Sequence, residues 1–218
     1  MTGRRAKASR ARPGVRSLFR AAGPGILPGF LWVCLLGFLA GCSPAAPPFN
    51  ATEVAGIDYG RGLRIADTAG RPRSLEDFDD RVAIVFFGFT SCPDVCPNTL
   101  LRLKQVRDSL GAAAAQVQVI VVSVDPERDT AERLDAYLKN FDASFLGLRP
   151  EPQQLAAVIK AFHAIAVKVP AKDDSSYTVD HSATLYIYDR SNRLRLIAQP
   201  DFRLEALAAD LRRLVAEG

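Results

Sequence analysis

A strand pattern that runs straight into two cysteines at a helix start constrains this chain more than anything else in it. Val82-Ala-Ile-Val-Phe-Phe-Gly-Phe89 carries no charge and is rich in β-formers. A continuous apolar run of that length reads as a central strand covered on both faces. Cys92-Pro-Asp-Val-Cys96-Pro97 follows at once. Leu100, Leu103, Val106 and Leu110 then recur at helical spacing over residues 97–110. Pro97 suits a first helical turn and Gly111 a stop. A strand turning into a helix, with reactive side chains at the junction, belongs to an α/β fold, and ligands bind at that end of such sheets.

The rest of the pattern agrees. Leu63–Ala66 alternates, and Asp67-Thr-Ala-Gly70 supplies the turn of a small hairpin. Ser74-Leu-Glu-Asp-Phe78 reads as a single helical turn. Val117–Val124 is a second buried strand, and Asp129 or Thr130 caps a helix with Leu134, Tyr137, Leu138 and Phe141 inward. Phe145–Leu148 is a short third strand, and residues 152–162 form a helix burying Leu155, Val158, Ile159 and Phe162. Leu185–Tyr188 and Leu194–Ile197 flank Asp189-Arg-Ser-Asn-Arg193 as a hairpin, and Leu204–Val215 closes the chain as a helix. This order predicts a central mixed β-sheet flanked by helices, with an added hairpin. Phe86, Phe87 and Phe89 are expected in the core, and Arg190, Arg193 and Arg195 on a solvated face.

The N-terminal part is of another kind. Residues 1–41 hold seven Lys and Arg and no acid, and residues 26–41 are uncharged and mostly apolar. A basic segment before a short apolar run is the layout of an export signal. At ~1.5 Å per residue those sixteen positions span about 24 Å of helix, short of the ~30 Å hydrocarbon core, so a cleaved signal is preferred to a single transmembrane helix. The run ends in Leu39-Ala-Gly-Cys42, which resembles the cleavage box of bacterial lipoproteins, with Cys42 as the lipidated residue. Residues 42–55 are then a Pro/Ala-rich linker, and residues 56–218 the folded domain. Either anchor places that domain on the periplasmic side of a bacterial cell envelope.

The net charge of +4 over 218 residues comes from this tail; residues 42–218 carry 21 basic and 24 acidic side chains. Nucleic-acid binding therefore has no charge argument behind it. Of four cysteines, Cys34 and Cys42 belong to the leader and anchor, leaving Cys92 and Cys96 in the domain. A disulfide-stapled scaffold is excluded by that count. Outside the cytoplasm, two thiols four apart can pair with each other, hold a soft metal or exchange disulfides. A helix start favours thiolate. Two thiolates leave most ions short of a ligand, and the domain has only His163 and His181 to offer. His181 falls in a loop feeding the strand at Leu185, and His163 ends an apolar helical face, where a packed or helix-capping role fits it better.

Three blocks taken together resemble the Sco/SenC family: Phe86-Phe-Gly-Phe-Thr-Ser-Cys-Pro-Asp-Val-Cys-Pro97, Ser123-Val-Asp-Pro-Glu-Arg-Asp-Thr130 and Val179-Asp-His-Ser-Ala183. The resemblance covers about residues 56–215 and implies a thioredoxin-like fold. It implies copper, as Cu(I) or Cu(II), held by Cys92, Cys96 and His181, and a Cys92–Cys96 disulfide in the oxidised form. It further implies a metallochaperone role in assembling the binuclear copper site of cytochrome c oxidase, with that copper-site subunit and a thiol reductant protein as partners. Such a protein need not be an enzyme; the alternative is a thiol–disulfide reductase in which Cys92 attacks and Cys96 resolves. Ala131, Asp79-Asp-Arg81 and Ser91 depart from the family's commoner residues, and none of these changes removes a ligand. Asp94 and Asp180 flank the site and are candidates for tuning it.

Overall fold

A computed structural model describes residues 47–170 and 176–217. The expected export signal, residues 1–41 with Cys34, and the expected lipidation site Cys42 lie outside the described residues. Among those described, no helix is long and apolar enough to cross a membrane.

The elements in chain order are β1 (Thr52–Glu53), β2 (Ile65–Ala66), β3 (Pro72–Arg73), a 3-10 turn (Leu75–Phe78), β4 (Val82–Gly88), α1 (Val95–Ser109), a second 3-10 stretch (Gly111–Gln116), β5 (Val117–Ser123), α2 (Ala131–Lys139), β6 (Leu146–Leu148), α3 (Pro152–Ala161), β7 (Ala166–Pro170), β8 (Tyr177–His181), β9 (Leu185–Tyr188), β10 (Leu194–Ala198) and α4 (Leu204–Ala216). Six strands form one mixed sheet in the order β1-β10-β9-β4-β5-β6. β4, β5 and β6 run parallel, and β9, β10 and β1 are added antiparallel. β2–β3 and β7–β8 are separate two-stranded ribbons.

β4 lies at the centre, and all seven of its residues are buried. Its side chains alternate between two packed faces. Phe87 meets Phe162 and Tyr186 edge-on at 5.0 and 6.0 Å between ring centres. Phe86 faces the other way, toward His181. α1 buries Cys96, Thr99, Leu100, Leu103 and Val106, the spacing of one helical face, and packs against α4. Gly111 ends that stretch with φ +59°, a left-handed conformation that glycine adopts without Cβ strain. Thr130, rather than Asp129, caps α2, its hydroxyl accepting from the amide of Arg133.

Three expectations change. The folded part begins before residue 56. Phe49 is buried under the Arg213 guanidinium, Asn50 and Ala51 donate their amides to the buried Asp210 carboxylate, and β1 pairs with β10. Residues 47–55 are therefore not all free tether, because their backbone groups find partners in the sheet and α4. His181 is not in a loop: it ends β8, paired with Ala166 of β7. Lone alternation is a weak signal in so short a ribbon, where one face is left in solvent. The basic face of the β9–β10 hairpin is not simply solvated. Asp189, 4% exposed, accepts from the guanidinium groups of Arg193 and Arg195, and Arg195 also reaches Glu217.

Candidate metal centre

The parallel pairing of β4 with β5 brings Gly88 and Ser123 level, and the chain leaves β4 through Phe89 and Thr90 into Cys92. α1 begins at Val95, so Cys96 is its second residue and Cys92 stands before its first turn. The Cys96 amide points at the Cys92 sulfur, 3.5 Å away. That sulfur thereby receives one of the N–H groups a helix start leaves without an intrahelical partner. Cys92 is partly exposed, whereas Cys96 is 1% exposed. Gly88 makes room for the buried thiol: a Cβ there would stand 3.2 Å from Cys96 Sγ and 3.0 Å from the Phe86 ring.

His181 arrives from β8, 85 residues later. Its Nε2 lies 3.3 Å from Cys96 Sγ. Its Nδ1 lies 3.0 Å from the Ser182 carbonyl oxygen, which can only accept, so Nδ1 carries the proton and Nε2 keeps a free lone pair toward the sulfur. The edges and faces of Phe86 and Phe89 enclose the ring, at 6.2 and 5.7 Å between centres. Cys92 Sγ, Cys96 Sγ and the imidazole nitrogen all lie within 4.8 Å of one another. Cys92 and His181 line a cleft of about 220 Å³, with Pro93, Val95, Thr178 and Ala183, and Cys96 lies behind it.

Burial governs the protonation of this group. It pushes the Cys96 thiol well above the usual range, while a backbone contact from Phe89 pulls the other way. The helix start alone would favour thiolate; the apolar wall wins at Cys96 because an uncompensated sulfur anion is costly there. Burial also lowers His181, against the Ser182 carbonyl and Asp180, so the imidazole is held neutral. A neutral imidazole, the partly exposed Cys92 thiol and a buried Cys96 thiol whose proton a bound cation displaces form a soft donor set, two sulfurs and one nitrogen, of the kind that selects Cu(I) and also accepts Cu(II).

His163 is elsewhere. It is exposed, has φ +49° just after α3 and stacks one ring face on Tyr59 at 4.7 Å. Asp94 is exposed and takes a hydrogen bond from Asn98; Asp180 is exposed as well. Sequence reasoning missed more of the surroundings than of the donors. Asp129, read as a cap or turn residue, is fully buried and accepts from the Thr90 amide and hydroxyl and from Ser123. Tyr137 has a buried hydroxyl without a protein hydrogen-bond partner. Burial first, then the charges of Cys96, Cys92 and Asp129, raise its pKa. The clue available was the Asp125–Asp129 pair directly after a buried strand, the sheet edge where functional side chains gather.

The family model described as SCO1/SenC matches residues 53–216. The chain belongs to the SCO1/SenC family. An SCO2-like protein of Rickettsia prowazekii is 32% identical over 166 residues, spanning 76% of this chain and 80% of that one. The copper-bound structure of ScoI from Bradyrhizobium japonicum superposes with a TM-score of 0.66 at 37% identity, over 72% of this chain and 99% of that one. The apo Sco1 of Thermus thermophilus superposes with a TM-score of 0.69 at 38% identity, over 78% and 99%. The SCO1/SenC domain thus has the thioredoxin-like fold that its sequence blocks imply.

Proposed function

We propose that this SCO1/SenC protein carries one copper ion between Cys92, Cys96 and His181 and delivers it during assembly of the binuclear copper site of cytochrome c oxidase. Copper is cargo here, taken up and released by ligand exchange with the acceptor's copper-site subunit. One observation carries the reading: two thiols and an unprotonated imidazole nitrogen converge within 4.8 Å from elements far apart in sequence. Membership in a family whose relative from B. japonicum is copper-bound supports it. The leader in residues 1–41 and the box ending in Cys42 support delivery outside the cytoplasm, from a lipid anchor on the periplasmic side.

Both sulfurs must be reduced, so copper loading competes with the Cys92–Cys96 disulfide, and a thiol reductant protein has to restore the dithiol. The test is to count copper per chain before and after reduction. The expected result is one copper in the reduced protein and none in the oxidised protein; equal loading in both states contradicts the proposal.

The burial difference within the pair favours a second reading, thiol–disulfide reduction of the acceptor. Cys92 is reachable and Cys96 sits behind it. Cys92 thiolate would attack an acceptor disulfide and release one acceptor thiolate. Cys96 would then close on the mixed disulfide and release the second. The domain loses two electrons and the acceptor gains two. His181→Ala separates the readings: copper retention is lost under delivery, and dithiol exchange persists under reduction.

A further inference from the structure

The β7–β8 ribbon is outside the main sheet, yet His181 at its end stands 3.3 Å from the thiol of Cys96 at the start of α1, the helix that follows the central strand β4. One segment touches both. In residues 123–129, which start at the last residue of β5, the fully buried Asp129 carboxylate accepts from the Thr90 amide (3.2 Å) and hydroxyl (2.6 Å), which fixes the chain leading into Cys92. Ser123 donates its hydroxyl to Asp129 at 2.7 Å and accepts the Asp125 amide at 3.1 Å. The fully buried Asp125 then accepts the Tyr177 hydroxyl at 2.8 Å and pairs with Arg128. Arg128 donates to the Tyr177 carbonyl at 2.8 Å, with its guanidinium 3.7 Å from the centre of the Tyr177 ring. Tyr177 opens β8, four residues before His181. Arg149 pins the segment from behind, donating to the carbonyls of Asp129 and Pro126.

We infer that this segment is a bracket that sets the separation between the Cys96 sulfur and the His181 nitrogen, with Arg128 and Tyr177 as positioning residues for the imidazole and Asp129 for the thiol loop. The inference deepens the copper reading and rests on it for its functional meaning. A planar guanidinium can donate to a carbonyl, pair with a carboxylate and cover a ring at once, which an ammonium cannot. Tyr177 is gripped at its backbone, its ring and its hydroxyl, so β8 has little freedom to pivot about its start. Lys168 joins the same two regions from outside, pairing with Glu127 in water and standing 4.9 Å from the centre of the Tyr177 ring.

The test uses the full chain with Arg128→Ala, Arg128→Lys, Tyr177→Phe and, as a control at an exposed ion pair away from the segment, Lys139→Ala. Cu(I) retention is measured against a chromophoric chelator, Cu(II) coordination by electron paramagnetic resonance, and amide exchange on the metal-free protein. Removing outer partners of metal ligands weakens binding on the order of 10–100-fold. Arg128→Ala should fall in that range, Arg128→Lys should rescue it only in part, and Lys139→Ala should match wild type. Arg128→Ala and Tyr177→Phe should alter the nitrogen coupling and speed exchange at residues 179–182, with exchange across Val82–Gly88 unchanged. Copper retention within twofold of wild type with an unaltered spectrum overturns the bracket, as does equal acceleration throughout the sheet. Should Arg128→Ala fail to fold, Arg128→Lys and Tyr177→Phe decide by the same criteria. If wild type retains no copper, the copper reading fails, and the exchange pattern alone still decides whether the segment holds β8.

Discussion

Cys96 and His181 meet at 3.3 Å from opposite kinds of support. The thiol is rooted where a fully buried central strand enters a helix, under Gly88 and Phe86. The imidazole ends a ribbon of two five-residue strands, where Val167 is exposed and Val179 is the buried anchor of β8. Few buried apolar contacts and many solvated backbone bonds place the ribbon at the low-stability end of the molecule. The lesson is that donor geometry and fold stability are separable here. Changes in the sheet cost stability, whereas changes between the sheet and the ribbon cost alignment.

The largest effect should come from breaking the sheet side. Phe87 is 0% exposed and packs edge-on against two aromatic rings. Phe87→Ala should destabilise the domain by about 3–5 kcal/mol in denaturant unfolding. Copper coordination in the fraction still folded should remain that of wild type. A loss under ~1 kcal/mol would mean the central layer can collapse around the gap, contrary to its close packing.

Gly88→Ala sharpens the comparison because it acts at the seam. The new methyl would press on the Phe86 ring and Cys96 Sγ, so one of them must shift. Overpacking of this kind costs about 1–3 kcal/mol, and displacement of the sulfur should weaken copper retention more than an equally destabilising core variant does. Equal weakening in the two would erase the distinction between stability and alignment.

The smallest effect is acid-dependent and confined to the sheet side. Burial raises the Asp67 carboxyl, but the amides of Arg71 and Ala69 and the guanidinium groups of Arg73 and Arg71 more than offset this, and its pKa is lowered. A carboxyl lowered on folding contributes stability that is present above its ordinary value near 3.8 and is lost as pH falls through the lower folded value. Asp67→Asn should therefore flatten the fall in stability below about pH 4 while sparing exchange at Val179. An unchanged acid limb would show that Asp67 is not part of that linkage.

Much of the sheet side was legible in the sequence. The runs beginning at Val82 and Val117 could hardly be anything but buried strands, and the α1 face followed from spacing that the structure repeats. The β7–β8 ribbon was not legible, because five-residue strands with one solvated face carry little pattern and owe their existence to partners far along the chain. The same limit hid the start of the domain. Phe49 and Thr52 read as linker until Asp210 and β10, about 150 residues away, satisfy their neighbourhood. The two cysteines were readable from their place at a helix start, whereas the choice of His181 over His163 rested on the resemblance of the Val179–Ala183 block to the family. The roles of Asp125, Arg128 and Asp129 were not readable, because a buried carboxylate and a turn residue look alike in one dimension.

X-ray absorption at the copper edge tests the account most directly, on the reduced chain loaded with Cu(I) beside His181→Ala. The account predicts two sulfur neighbours and one nitrogen in wild type, with the nitrogen alone missing from the variant. A sulfur-only shell in wild type, or a nitrogen that survives the substitution, would contradict it.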